Sequence, residues 1–429
     1  MSVAYFWLFL LLLACGMPVL FALLVGPGLS LFIDGSPQYL SALLSRLYNG
    51  VDSFPLLAVP FFILAGEVMN SGGITRGIVH FSQTMIGHFR GGLAQVMIPS
   101  SMLFSSISGS AVANASALGR MLVPSMEQNG YTRGFAAAVT AASAVIGPII
   151  PPSGIMVLYG FVMNISIGAL FAGGIIPGIL IGIGLMIAVR LLANRYNLPP
   201  ATARASWSER ARAFKGTAPA LLTPVILLGG ILGGFFTATE AAAVAAAYAM
   251  IVSVFVMRTQ KLSDVPQILI NTAVQSSVIL LLVGAAVSFA WLVTVSGMAE
   301  AIAATMTGLG DNVYVLLFLL NIMLFIVGMI LDAGPAILIL GPVLGPVFTS
   351  LGVDPVHFAL IMCINLTVGL ITPPMGLVLF VASAVSGERL ERVLKPLLPF
   401  LFVEIVVIFL VTYFPPLTLA LPRALGLMQ

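Results

Sequence analysis

Two short polar runs interrupt an otherwise apolar chain with residues able to hold ions. The first, SSISGSAVAN at residues 105–114, presents the hydroxyls of Ser108 and Ser110, the amide of Asn114 and the flexible Gly109. The second, LDAGP at residues 331–335, presents the Asp332 carboxylate beside Gly334. Each run is followed by a proline phrase, GPIIPPSGIMVLYG from Gly147 and GLITPPMGLVLFVA from Gly369. Proline removes an N–H and blocks the hydrogen bond of the preceding turn, leaving carbonyls free. Freed carbonyls with nearby hydroxyls and amides suit a hard cation such as sodium. The N-terminal ends of half-helices suit a substrate carboxylate. One site therefore combines Ser108, Ser110 and Asn114 with the backbone of residues 143–148, Ser143, Gly147 and Pro148 included. The other combines Asp332 and Gly334 with Asn365, Thr367 and Thr372. Ser108, Gly109, Pro152, Ser153, Pro374 and Met375 are placed against the substrate between the two.

Each of these residues also has a plainer reading. Ser-Gly-Ser runs serve as close-packing surfaces between membrane helices, and a membrane proline is often only a kink. Asp332 is an intramembrane carboxylate, functional by default, yet it could act as a helix cap. Arg120 reads as an arginine snorkelling to the interface, and Glu240, after Thr237-Ala238-Thr239, as part of a capping turn. Glu67 reads as a buried helix-end group. Gly308-Leu309-Gly310-Asp311 formally matches an intramembrane protease motif, but no second catalytic aspartate accompanies it. No GxSxG, HExxH or P-loop is present, so hydrolysis and direct ATP use lack support.

The elements that must position these groups follow from a duplication. The proline pairs Pro151-Pro152 and Pro373-Pro374 are 222 residues apart (373 − 151). The same ungapped offset pairs Gly119 with Gly341, Pro124 with Pro346, Gly130 with Gly352 and Gly154 with Gly376. In each copy the polar run is flanked by apolar stretches of about half a membrane thickness. That pattern predicts the tip of a re-entrant helical hairpin, a backbone tolerated only where protein or a watery cavity covers it. Short amphipathic arm helices are expected at residues 74–88 and 298–309.

Composition sets the environment. The chain is 60% hydrophobic and 7% charged, with a mean hydropathy of +1.15; soluble proteins carry charge on about a quarter of their residues. Continuous apolar runs such as residues 3–25 and 175–192 predict membrane helices and exclude the alternating strands of a β-barrel. The first run is read as one retained span and not as a cleaved leader. Cys15 and Cys363 lie in separate runs, and His80, His88 and His357 are scattered, which argues against a disulfide framework or a metal cluster. The basic stretch 190–215 is read as a cytoplasmic loop, with further spans at 218–233 and 240–257. The cationic excess is assigned to such loops and not to nucleic-acid binding. Basic loops in one copy face neutral or acidic loops in the other, so the copies are expected to be inverted. The resulting expectation is an all-α polytopic membrane protein of two inverted-topology repeats, each with a re-entrant hairpin and a broken Pro-Pro helix. Its divisions are N-terminal scaffold helices at 1–70, a first transport half at 71–166, and central scaffold helices at 167–296. A second transport half at 297–387 and a C-terminal scaffold helix at 388–429 complete it.

The run Phe54-Pro55-Leu56-Leu57-Ala58-Val59-Pro60-Phe61-Phe62-Ile63-Leu64-Ala65-Gly66 is followed by Met69-Asn70-Ser71-Gly72-Gly73-Ile74. With SGSAVANASALG, GPIIPPSG, TATEAAAV and DAGPAILILGPVLGPV, it resembles the large membrane subunit of tripartite ATP-independent periplasmic (TRAP) transporters. These are members of the ion-transporter superfamily. The resemblance covers essentially the whole chain, and its motifs are specific in combination. It implies a moving transport domain held by a scaffold. The activity it implies is import of organic acids such as C4-dicarboxylates or sialic acids into the cell, driven by a sodium gradient across a bacterial inner membrane. It also implies two partners, a periplasmic substrate-binding protein and a small four-helix membrane subunit. By the same likeness the first hairpin tip with residues 143–148 would form one sodium site, and the second tip with residues 367–372 the other.

The expected function is thus sodium-coupled import of a small organic anion by an elevator motion, using two sodium ions and no enzymatic chemistry. Two bound cations would offset the substrate carboxylate and Asp332 in a low-dielectric site. The alternatives are a stand-alone carboxylate or ion antiporter of the same superfamily, an intramembrane enzyme using Asp332 or Asp311, and a channel. The identity of the anion is not encoded in any motif.

Overall fold

The computed structural model describes residues 4–71, 74–200, 203–298, 301, 302, 304 and 312–428. In chain order the helices are α1 (Ala4–Ala14), α2 (Val19–Ile33), α3 (Tyr39–Val51), α4 (Ala58–Ser71) and α5 (Ile74–Ile86). Next come α6 (Gly92–Ser108), α7 (Ala111–Gln128), α8 (Arg133–Ala144), α9 (Gly154–Val162) and α10 (Ile167–Leu192). The middle holds α11 (Trp207–Leu232), α12 (Ala238–Ile251) and α13 (Val265–Val295). The last stretch holds α14 (Val313–Ile330), α15 (Ala333–Ser350), α16 (Pro355–Gly369), α17 (Leu377–Ser386), α18 (Leu390–Tyr413) and α19 (Pro416–Ala424). Among the described residues there is no strand. Seven helices there are long and apolar enough to cross a membrane. The protein is an all-α, multi-pass membrane protein.

Two expectations about element limits need correction. Residues 3–25 are not one span: α1 ends at Ala14 and α2 starts at Val19. Gly16 takes φ +84°, a conformation that glycine adopts without strain, and Pro18 occupies the N-cap of α2. The basic stretch 190–215 is not all loop, because α11 begins at Trp207. There Ser206 accepts the Glu209 N–H at 3.2 Å while Glu209 accepts the Ser206 N–H at 2.7 Å. This reciprocal capping box starts a helix ahead of the apolar run. The second arm helix, with Gly308 to Asp311, lies mostly outside the described residues; the first is α5. Glu240 forms a capping box with Thr237, as expected.

The duplication is visible in helix limits. Adding 222 to α7 gives 333–350, the bounds of α15. Applied to α6 it gives 314–330 against Val313–Ile330, and applied to α9, 376–384 against Leu377–Ser386. The copies also exchange partners: α7 packs on α17, and α15 packs on α9. At their centre lie the equivalent helices α8 and α16, buried from 134 to 144 and from 356 to 369. A helix apolar on every side belongs in such an interior position.

Around these copies, α12 and α13 pack on α4, and α13 also packs on α2 and α3. Small residues permit close approach. A Cβ on Gly284 would lie 2.8 Å from the Leu47 carbonyl oxygen. Beside it the Ser288 hydroxyl donates to Leu43 O at 3.0 Å. The Glu67 carboxylate accepts a hydrogen bond from Asn271 Nδ2 on α13 at 3.1 Å. On the other side, α18 packs against α8, α10 and α16.

Candidate functional site

The first hairpin turns where glycine and serine dictate. The helix α6 stops at Gly109, whose φ is +59° and whose N–H bonds Ser105 O at 3.0 Å. Ser110 then caps α7, its hydroxyl accepting the Ala113 N–H at 3.4 Å. This tip rests on the proline phrase. A Cβ on Gly109 would stand 2.9 Å from Pro152 O, and one on Gly147 would stand 3.2 Å from the Ser110 carbonyl. The structure therefore brings Gly109, Ser110, Gly147, Pro152 and Ser153 into one cluster.

Side chains brace that cluster from within. Asn114, fully buried, donates from Nδ2 to Ser101 Oγ at 2.7 Å and to Ser105 Oγ at 3.0 Å. Ser101 donates in turn to the Ser143 carbonyl at 2.5 Å, and the Ser143 hydroxyl donates to Val139 O at 2.7 Å. Ser153 caps α9 by accepting the Met156 N–H and donates to Pro148 O at 2.5 Å. Two carbonyls of the 143–148 segment are thus already held by hydroxyls. Two buried oxygens of the same hairpin, Ser108 Oγ and Asn114 Oδ1, have no hydrogen-bond partner. Buried polar atoms are seldom left so. Neutral oxygens of this kind are the donor set a hard monovalent cation prefers.

The second copy is built on the same frame with different chemistry. Asp332 stands at the N-cap of α15 but its side chain makes no capping bond, and the residue is exposed. Gly334 is buried against Leu158 of the first copy, 3.9 Å from where its Cβ would be. The hairpin is tied to its proline phrase by the Gly376 N–H, which donates to Met329 O at 3.1 Å. Backbone contact between Gly328 and Gly369 adds to this, with a Cβ on Gly369 falling 2.5 Å from Gly328 Cα. Thr367 and Thr372 are buried, each donating to the carbonyl one turn back, at 2.6 and 3.1 Å. Their oxygens keep lone pairs free to accept. Pro374 and Met375 are exposed, whereas Pro152 and Ser153 are buried.

Asn365 faces elsewhere. Its Nδ2 donates to Asn321 Oδ1 at 2.7 Å, and Asn321 Nδ2 donates to Thr412 Oγ1 at 3.1 Å. The chain continues through His357, whose ring nitrogens lie 3.2 Å from Thr412 O and 2.7 Å from Thr418 Oγ1. The sequence grouping of Asn365 with Asp332 is replaced by this polar seam between α14, α16, α18 and α19. Sequence reasoning also passed over Ser101, Asn321 and Glu404. Ser101 and Ser105 are four apart and share a helix face, a signal open to inspection. Glu404 is an acid inside FLFVEIVVIFL; it is fully buried and both carboxylate oxygens lack partners. Arg120 is exposed, as a snorkelling side chain would be.

Among the described residues no group of three or more His, Cys, Asp or Glu side chains could hold a metal ion. Residues 6–417 match the family described as the tripartite ATP-independent periplasmic transporter, DctM component. The sialic acid TRAP transporter large permease SiaM of Vibrio cholerae is 40% identical, over 96% of each chain. The C4-dicarboxylate TRAP transporter large permease DctM of Pseudomonas aeruginosa is 38% identical, over 91% of this chain and 92% of its own. The YdaH transporter of Alcanivorax borkumensis has a similar fold, with a TM-score of 0.63 over 88% of each chain at 17% identity.

Proposed function

Because the chain belongs to the DctM family of TRAP transporter large permeases, we propose that it imports a small organic acid together with sodium ions. The protein is a membrane transporter subunit, not an enzyme, and its relatives named for C4-dicarboxylate and sialic acid support a small carboxylate as the substrate. The observation that carries the coupling is the pair of buried, unpartnered oxygens on Ser108 and Asn114. Neutral oxygens can hold a sodium ion whose charge would offset the substrate carboxylate in a site of low dielectric. Asp332 would add fixed negative charge near a second ion, with Thr367 and Thr372 offering hydroxyl oxygens.

The reciprocal packing of α7 on α17 and α15 on α9 supports a movable unit made of both copies. In this reading the copies are inverted, and the unit slides as an elevator against α3, α4, α12 and α13, opening the site to each side alternately. A periplasmic binding protein would deliver the acid, and a small four-helix subunit would complete the scaffold in the bacterial inner membrane. The test is uptake of labelled dicarboxylate or sialic acid into proteoliposomes holding the chain and its small partner, with binding protein outside. Uptake should require an inward sodium gradient and the binding protein. Uptake indifferent to sodium would refute the coupling, and uptake without binding protein would favour a stand-alone carrier.

A further inference from the structure

The short loops beside α10 and α11 hold a cluster of two arginines and a histidine that no carboxylate neutralises. His88 follows α5, and Arg204 and Arg210 flank the start of α11. Thr217 Oγ1 donates to Gly77 O at 3.0 Å and the rings of Phe81 and Phe214 lie 5.8 Å apart, so α5 runs antiparallel along α11 and carries His88 toward the start of α11, where Arg210 lies. The loops are tied by the Gly91 N–H, which donates to Pro199 O at 3.0 Å. Two polar atoms in the cluster, His88 Nδ1 and Arg210 Nε, are buried and have no hydrogen-bond partner. The nearest acid in sequence, Glu209, is engaged with Ser206 in the capping box. The ion pairs among the described residues are Arg133–Glu127 and Arg392–Glu388, neither of them here. Burial, and then the charges of Arg204 and Arg210, hold His88 below the ordinary imidazole range. The ring offers a hydrogen bond where the arginines offer charge. Donors and positive charge without an anion are the chemistry of a phosphate site.

An aromatic ring and an apolar surface adjoin the cluster. The Arg210 guanidinium lies 5.2 Å above the ring of Trp207, itself 81% exposed, as aromatic residues are at membrane interfaces. An exposed apolar stripe runs along α10 through Leu191, Ile187, Ile183 and Ile179, four residues apart and so on one face. The stripe ends in an apolar groove of about 400 Å³ between α10 and α11, lined by Ile175, Ile179, Pro224, Val225 and Leu228. Ile150 and Pro151 of the first proline phrase, with Ser106 of the hairpin, also line it. From Arg210 to Val225 the helix α11 rises about 22 Å at 1.5 Å per residue, close to half of a roughly 40–45 Å bilayer with its headgroups.

We propose that His88, Arg204 and Arg210 bind the headgroup phosphate of an anionic phospholipid whose acyl chain occupies the groove between α10 and α11. Phosphate at one end and an apolar slot one leaflet away match a lipid better than a free anion or a protein helix. A free anion would have no use for the slot, and a helix would have to cover three buried or cationic nitrogens at its edge. The bound chain touches the Pro151 turn, so the lipid sits against the hairpin that carries Ser108 and Asn114. The proposal stands independently of whether transport is coupled to sodium.

The experiment uses the full chain in detergent micelles with phosphatidylglycerol bearing a photoreactive group at its acyl terminus. The label should appear on peptides containing Ile179 or Val225. It should fall about tenfold or more in an Arg204→Ala, Arg210→Ala double variant, given the attraction of each cation for an anionic lipid. An Ile179→Trp variant, which fills the groove and leaves the cations in place, checks the same point without touching charge. It should lose the acyl label while unlabelled phosphatidylglycerol is still retained over phosphatidylcholine in native mass spectra. Equal labelling from a phosphatidylcholine probe would overturn the proposal. So would displacement of the label by millimolar inorganic phosphate, which would mark a free-anion site. Loss of the label when the chain is assembled with a membrane partner subunit would assign the groove to protein instead.

Discussion

The two hairpins share a backbone and divide the chemistry. Position for position at an offset of 222, Ser110 corresponds to Asp332, Asn114 to Ala336, Ser143 to Asn365 and Ser153 to Met375. The first copy is closed by its own hydroxyls: Ser110 and Ser153 cap helices, Ser101 holds the Ser143 carbonyl, and Asn114 braces the arms. The second copy leaves the matching places open, with an uncapped Asp332, an exposed Met375 and a glycine where Ser153 stood guard one residue earlier. Glycines and prolines set the turns in both. What differs is which polar groups line those turns, so one half is a neutral oxygen nest and the other an accessible charge. Duplication thus preserves the geometry that breaks a helix while freeing each break to bind something different.

Four substitution pairs would break or sharpen that contrast. The largest effect is expected at the charge: Asp332→Asn should lower sodium-driven uptake at least about a hundredfold, or about 2.7 kcal/mol. Ser110→Ala, at the same place in the first copy, should cost only a few-fold. Equal losses in the two variants would show that the halves are chemically equivalent after all.

The second pair tests the turns. Gly376 has φ +51°, and its Cβ would stand 2.9 Å from Thr372 O, whereas a Cβ on Gly154 meets nothing within 4 Å. Gly376→Ala should destabilise the fold by about 2–3 kcal/mol, read as a lower melting temperature in detergent. Gly154→Ala should leave the melting temperature unchanged.

Smaller changes follow from single hydrogen bonds. Asn114→Ala removes the donor shared by Ser101 and Ser105, at a cost of about 1–3 kcal/mol. It should also raise the sodium concentration giving half-maximal uptake, whereas Ala336→Ser in the second copy should do neither. Removing the Ser153 cap by Ser153→Ala should cost about 1 kcal/mol. Met375→Ala, at an exposed position, should not move thermal unfolding measurably. A Ser153 variant as stable as the parent would mean that the Pro148 carbonyl finds another donor.

Much of the frame was legible in advance because it rests on local chemistry. The Gly109 turn, the paired prolines and the capping box at Thr237 each depend on a few adjacent residues. The capping box at Ser206 was missed as a helix start because the basic residues around it read as loop, although Ser-x-x-Glu was there to see. Likewise Gly16 and Pro18 broke an apolar run that length alone made a single span. The second arm helix falls largely outside the described residues and adds nothing to either side.

By itself the sequence determined that this chain is a membrane protein, that it contains two copies 222 residues apart, and where each copy breaks. Those features follow from side-chain hydrophobicity, from proline's missing N–H and from glycine's freedom at positive φ. Only the tertiary structure decided that α7 meets α17 and α15 meets α9. It also decided that Asn365 turns to Asn321, that Asn321 in turn bonds Thr412, and that Ser101 takes the Ser143 carbonyl. Those outcomes join residues 42 to 91 positions apart, and an amide or hydroxyl buried in the interior bonds whichever partner packing brings within about 3 Å. No local propensity selects that partner; the arrangement of the surrounding helices does.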